Sequence, residues 1–508
     1  MKSIHFNLNQ LPKLLPIACA VAFALQAPVA LSAEHEPPKT SPEAKLVPHS
    51  DAVFGPDPSY EDRPYSDEAQ LKIYGGKFSI PTPRPLLELG RPQYQNGPLK
   101  RSGTALGLKN PIDQSFSIYG DMRVGTARNI NGAAQNNVLA ARLNVDMDYR
   151  FTGTERIHAF FRPLDNGTEF TRCEFNGSTN CTGKFDAIPD ALFFEGDLNA
   201  ITTGLTDKYQ SFDMAFAVGK MPLLFQNGLW FEDAIIGGAA TLPAKNSKTL
   251  GISNMDITFF GGTSATSGAQ RNGNLPLNAV IKKQANIYGV ATFIEANEGY
   301  WEIDYAYTDT SNAVVQTDRS YHNLGLAFTR RYGNWLSNSI RIINNFGQDP
   351  NAGGAKTANG TLIVLENSLV TRLPSTLVPY MNVFYGTGTP QSASRAADAG
   401  GILKNIGINF ETDGLTGFPK LTDAVDNMWG GAVGVEYLFG LNRQLVVEAA
   451  TTQRINNTSS LLGREYGWGM RYQFPLDQSW IFRTDAILAD RENNRNLAGL
   501  RFELRRKF

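Results

Sequence analysis

Between residues 138 and 151 side chains alternate almost without a break. Leu139, Ala141, Leu143, Val145, Met147, Tyr149 and Phe151 fall on one face, and Ala140, Arg142, Asn144, Asp146, Asp148 and Arg150 on the other. A period of two belongs to a strand with one apolar and one polar face. The pattern returns in 300–308, where Trp301, Ile303, Tyr305 and Tyr307 oppose Glu302, Asp304 and Thr308, and in 466–474, where Tyr466, Trp468, Met470, Tyr472 and Phe474 oppose Gly467, Gly469, Arg471 and Gln473. Seventeen comparable stretches are visible between residues 115 and 508, and an eighteenth is expected near 228–236 or 402–411.

The final stretch, Leu500-Arg501-Phe502-Glu503-Leu504-Arg505-Arg506-Lys507-Phe508, alternates in the same way and closes on an aromatic residue. It resembles the assembly signal of Gram-negative outer-membrane β-barrels of the porin-like superfamily, with Arg506 standing where that signal usually has an apolar side chain. The resemblance implies an all-β fold, a transmembrane antiparallel up-and-down barrel. Such barrels close with an even number of strands, so 16 or 18 are expected here. It also implies contact with outer-membrane lipid and lipopolysaccharide, and engagement of the outer-membrane assembly machinery through the C-terminal strand.

Residues 1–33 read as a cleavable signal peptide: Lys2 and Lys13 precede the apolar run 14–25, which ends at Ala30-Leu31-Ser32-Ala33. Pro16 and Pro28 interrupt this stretch, and its apolar part is shorter than the roughly 20 residues of a spanning helix. The expected location is therefore the outer membrane. Mean hydropathy is slightly negative and aromatics make up 11% of the chain, a composition that suits strands apolar on alternate residues only. A net charge of −1 argues against a nucleic-acid partner. Cys173 and Cys181 lie eight positions apart in a polar, turn-rich segment and are expected to pair in an oxidising compartment. A metal site is the alternative, but it would need further ligands, and His35, His49, His158 and His322 are scattered without ligand spacing. No metal or cofactor is expected, and the chain carries no Cys-x-x-Cys-His for haem attachment.

Residues 34–112 are Pro-rich and read as a periplasmic extension that either dangles or folds back as a plug or docking arm. The barrel is expected over 113–508. Trp301, Tyr307, Trp335, Tyr380, Tyr385, Trp468, Trp480 and Phe508 are expected to form its interfacial girdles.

Reading the polar face of each strand gives the expected pore lining: Asp121, Arg123, Arg142, Asp146, Asp148, Arg150, Glu302, Asp304, Arg341, Glu436, Glu448, Arg471, Arg483, Asp485, Arg501, Glu503 and Arg505. Both signs are present, which predicts weak charge selectivity, since a selective pore concentrates one counter-ion with a single-sign lining. The long connection 387–428 is the candidate constriction loop, offering Lys404, Glu411 and Asp413, and 223–254 is a second long insertion. The expected function is a porin-like channel for passive diffusion of small polar solutes. The alternative is a conduit or exporter: an exopolysaccharide exit pore, or a sheath for a periplasmic partner such as a cytochrome. An enzyme is not expected, because neither His158 nor His322 has a companion Ser motif. The sequence is compatible with a homotrimer or with a periplasmic partner.

Overall fold

The computed structural model describes residues 85–90, 114–166, 169–264, 285–310, 319–333, 335–350, 356–371, 377–411, 413–439, 443–455, 463–493 and 496–508. The expected signal peptide and most of the expected extension lie outside them. Eighteen wall strands follow one another: β1 (Ser115–Asn131), β2 (Ala134–Arg150), β3 (Arg156–Phe161), β4 (Ala191–Asp197), β5 (Ala215–Phe225), β6 (Phe231–Ser247), β7 (Ile252–Ser264), β8 (Ala285–Ala296), β9 (Gly299–Asp309), β10 (Tyr321–Tyr332), β11 (Leu336–Phe346), β12 (Asn359–Leu369), β13 (Leu377–Thr389), β14 (Met428–Phe439), β15 (Arg443–Arg454), β16 (Glu465–Pro475), β17 (Trp480–Arg491) and β18 (Leu497–Lys507). Each pairs antiparallel with the next. The ring closes where β1 pairs with β18, from Asp121↔Lys507 to Asn131↔Leu497. Gly120 and Phe508 add reciprocal backbone hydrogen bonds of 2.8 and 3.0 Å below that seam.

Closure gives every wall strand two partners, which lets a sheet sit in lipid without unpaired backbone groups. The faces sort as the alternation requires. Met122, Leu139, Ile303, Val433, Val447 and Leu488 are exposed on the outer surface, whereas Asp121, Asp304, Arg341, Glu448, Asp485, Arg501 and Glu503 are buried inside. An apolar exterior around a polar interior is the arrangement of a transmembrane barrel of the Gram-negative outer membrane. Short turns such as 151–155, 297–298 and 476–479 cluster at one end, the periplasmic end in such barrels, and the long connections 162–190 and 390–427 at the other.

Several expectations are corrected. The eighteenth strand is β6, which overlaps the first of the two expected places. The region 223–254 is therefore mostly wall and not an insertion. Gly237-Gly238-Ala239-Ala240 blunts the apolar alternation there, and the register slips between Leu242 and Lys245 around Pro243. Residues 402–411 form no strand and pack inside the barrel. Tyr380 is not a girdle residue: it points inward, and its hydroxyl donates to Glu448 at 2.6 Å. Trp335 and Trp468 are exposed on the outer surface as expected. Arg506 lies with its guanidinium 5.4 Å from the Trp480 ring centroid, so a cation–π contact occupies the place where the assembly signal usually carries an apolar residue.

Several elements had no counterpart in the sequence reading, including a hairpin of Glu169–Phe175 and Thr179–Thr182 between β3 and β4. Within 34–112, Leu87–Gly90 forms a short strand along the part of β1 that runs past β18, from Leu87↔Ile118 to Gly90↔Ser115. A helix, α1 (Leu198–Thr206), fills the turn between β4 and β5, capped by Asp197, whose side chain accepts from the Ala200 amide. The Asp197 cap ahead of apolar Leu198, Ile201 and Leu205 is the signal that could have placed it.

Val433 lies midway along the lipid-facing side of β14 and is 56% exposed. Val433→Arg is expected to destabilise the folded barrel by about 2–4 kcal/mol, measured by urea unfolding in phospholipid vesicles.

Candidate functional site

The lumen is not an open tube. The tip of the β5–β6 hairpin turns inward, burying Leu229, Trp230 and Phe231 completely. The Trp230 indole donates to Asn323 Oδ1 at 2.8 Å and Gln226 Nε2 to Asp304 at 2.8 Å. The connection 390–427 folds in beside it. Ser394 and Arg395 pair in parallel with Phe231 and Glu232, and both Arg395 and Lys404 form ion pairs with Glu232. Ile402, Leu403, Ile406 and Phe410 then complete one apolar cluster with wall residues Ile287, Ile343, Leu362, Val364 and Phe384. These wall positions explain the continuous apolar run Leu362-Ile363-Val364-Leu365: both faces are dry, one against lipid and one against the inward loops.

Residues 407–411 are seated by hydrogen bonds as well as by the packing of Phe410. The Ile408 and Asn409 amides donate to Glu448 at 3.0 and 2.9 Å, and Asn409 Nδ2 donates to it at 2.8 Å. Gly407 permits this close approach, since a Cβ there would stand 2.2 Å from Glu448 Oε2. Glu448 is thus a buried wall carboxylate held in a cradle of loop donors.

Charge is segregated around the wall. On the arc β16–β18 and β1–β2, Arg471, Arg483, Arg501, Arg505, Arg123 and Arg142 face inward against three wall acids, Asp485, Asp121 and Glu503. The loops bring three more carboxylates: Glu411 to Arg471 and Arg483, Asp413 to Arg501 at 2.5 Å, and Asp165 to Arg142 at 2.6 Å. These six arginines therefore meet six acids, of which the loops carry half, and a further inward arginine of the same arc, Arg491, pairs with Glu465 of the wall at 2.8 Å. On the other arc, Arg341 bridges Glu302 at 2.9 Å and Glu366 at 2.7 Å, and Asp304, Glu436 and Glu448 are further inward carboxyl groups. Glu436 accepts from Gln444 at 2.8 Å.

Between 398–414 and the basic arc remains a cavity of about 270 Å³, lined by Arg123, Arg142, Phe170, Asp398, Glu411, Asp413, Arg483, Arg501, Glu503 and Arg505 among others. The structure brings most of the expected lining residues of β1, β2, β17 and β18 to this cavity, together with Glu411 and Asp413. Lys404 lies apart, in the apolar cluster's ionic rim. Asp146 and Asp148 form a separate group around His158, at 3.5 and 3.0 Å from its ring nitrogens, with Arg156 at 3.3 Å from Asp148. Arg150 follows on the same face at the turn end of β2. His322 faces outward, 2.7 Å from the Tyr305 hydroxyl. Phe170 and Asp398 were not expected here, because only the folding of 162–190 and 390–427 brings them to the cavity, and the same folding brings Asp165 to Arg142. Cys173 and Cys181 are bonded and staple the hairpin that carries Phe170.

Burial opposes ionisation of Glu411, but Arg471 and Arg483 outweigh it and hold its carboxyl below the ordinary 4.5. Asp413 is likewise penalised by burial, and Arg501 and a Thr416 hydrogen bond bring it below 3.8. The seating energy from these acids is thus fully present above their ordinary pKa values and is lost as pH falls through the depressed ones.

No family model and no curated protein matches the sequence. Among solved structures, the chain is similar to Pseudomonas aeruginosa OccK5 (OpdH), at 11% identity over 77% of this chain and 98% of that one, with a TM-score of 0.47. It is also similar to OccK2 (OpdF) of the same organism, at 9% identity over 77% and 97%, with a TM-score of 0.48. A third similarity is to Wzi, an Escherichia coli outer-membrane protein involved in group 1 capsule assembly, at 12% identity over 77% and 84%, with a TM-score of 0.43. Similarity this distant transfers no residue role to this chain.

Gly407→Ala and Glu448→Ala are both expected to unseat 407–411. A lost hydrogen-bonded carboxylate of this kind costs about 1–3 kcal/mol. Hydrogen exchange at the Ile408 and Asn409 amides should accelerate by about one to two orders of magnitude, with little change in the wall strands. Conductance, if limited by this loop, should stay constant as pH falls from 7 through 4.5 and change only below the ordinary carboxylate range.

Proposed function

We propose that the protein is an outer-membrane channel for passive diffusion of small polar solutes, narrowed by its inward loops and weakly selective for charge. The observation that carries this reading is the cavity left between 398–414 and the basic arc. Its volume is near the lower end of small-molecule sites, roughly 300–1,000 Å³, and its lining is charged on nearly every side. Weak selectivity follows from the pairing: the arginines of the wall are offset by carboxylates that arrive on loops. A polymer exit pore or a sheath for a cytochrome needs a wide lumen, which the apolar cluster fills on one side. That alternative fits the interior less well.

Single-channel recording of the full chain in planar bilayers tests the reading. Small, discrete open steps are expected, and complete silence across voltages would overturn it. The double variant Glu411→Gln/Asp413→Asn leaves the wall arginines in place and removes two loop carboxylates. Its reversal potential in a salt gradient should move toward anion preference, while an unchanged potential would place the conducting path elsewhere.

A further inference from the structure

We infer that α1 is an interfacial anchor that lies on the periplasmic leaflet of phospholipid, clamped to the outer face of the barrel. The turn that holds it, 198–214, is far longer than neighbouring turns such as 151–155 or 297–298. The side of the wall it leans on follows from strand parity. On β4, the Phe193 ring lies beside His158 with centroids 5.3 Å apart, and Glu195 pairs with Arg156, so both face the lumen. Leu192, Phe194 and Gly196 therefore face lipid, and Leu192 is 46% exposed. Ile201 of α1 packs on that outward side: its Cδ1 and Phe216 Cε1 would stand 3.4 and 3.5 Å from a Cβ on Gly196.

The helix, Leu-Asn-Ala-Ile-Thr-Thr-Gly-Leu-Thr, carries no charged side chain. Past the Ile201 contact, Leu205 is 64% exposed and Phe212, in the same turn, 40%. Apolar surface left in water is costly and invites association. Here it continues the lipid-facing belt of Phe194, Phe216 and Val218, so the occupant that matches it is the bilayer already covering that belt. An amphipathic segment with its apolar side in the headgroup boundary is a stable arrangement. This placement depends on the barrel lying in a membrane and not on what the barrel conducts.

The test uses the full chain with Leu205→Cys or Phe212→Cys, each carrying a nitroxide, in phosphatidylethanolamine/phosphatidylglycerol vesicles. Collision with oxygen, which partitions into lipid, is compared with collision with a water-soluble nickel chelate. The oxygen-to-nickel ratio at both positions should approach that of a label at lipid-facing Val218, near the periplasmic end of β5. A nickel-dominated ratio at both would place α1 in the periplasm and overturn the inference. Low collision rates with both reagents would also overturn it, by showing the helix covered by protein, either a partner or a second copy. Two positions are used so that one variant failing to fold leaves the other to decide.

Discussion

Everything else in this molecule depends on satisfying backbone hydrogen bonds in lipid. A strand exposed to hydrocarbon has no water to bond, and one unpaired edge would cost several kcal/mol per group. The sheet answers by closing on itself at the β1–β18 seam. Below that seam β1 continues for several residues without β18, and Leu87–Gly90 pairs there instead. Closure also fixes the amphipathicity: one face of each strand must be apolar, and the other is free to carry charge.

The interior shows what that freedom is used for. Positive wall charge gathers on β16–β18 and β1–β2, and negative wall charge on β9–β15. Neither arc stands alone, because loop side chains cross to meet it. Glu411, Asp413 and Asp165 reach the arginines, and Glu448 receives the amides of 408–409. The loops are thus held in two ways, by a dry apolar cluster on one side and by ion pairs on the other. Apolar packing is indifferent to pH and salt, whereas the ionic side responds to both. The cavity lies on the ionic side.

Legibility in the sequence followed the same division. Strands with one wet and one dry face, such as β2, β9, β16 and β18, could be read residue by residue, because each alternates charged with apolar side chains. Reading failed where the inner face was dry. Leu362 and Val364 are as apolar as Ile363 and Leu365, so parity gave no sign of the loops covering them. In 402–411, apolar residues looked like a further strand because a segment buried among wall side chains and a strand buried in lipid are equally greasy. Gly237 to Ala240 hid β6 for the opposite reason, offering too little contrast between faces. Tyr380 was misplaced because an aromatic residue near a strand end suits either a membrane interface or a buried carboxylate such as Glu448.

The sequence by itself determined a long series of strands with charge on one face, because period-two alternation is a local property that each strand states independently; closure into an even-stranded barrel was what the resemblance of the terminal strand implied. It also determined that the two signs of charge would be comparable in number. Only the tertiary structure decided where those charges stand relative to each other, since residues as distant as Arg123 and Glu503, or Arg501 and Asp413, become neighbours through ring closure and loop entry. The filling of the lumen was decided there as well. Whether a long connection turns inward or outward depends on the side chains of a dozen other strands, and no window of the sequence contains them together.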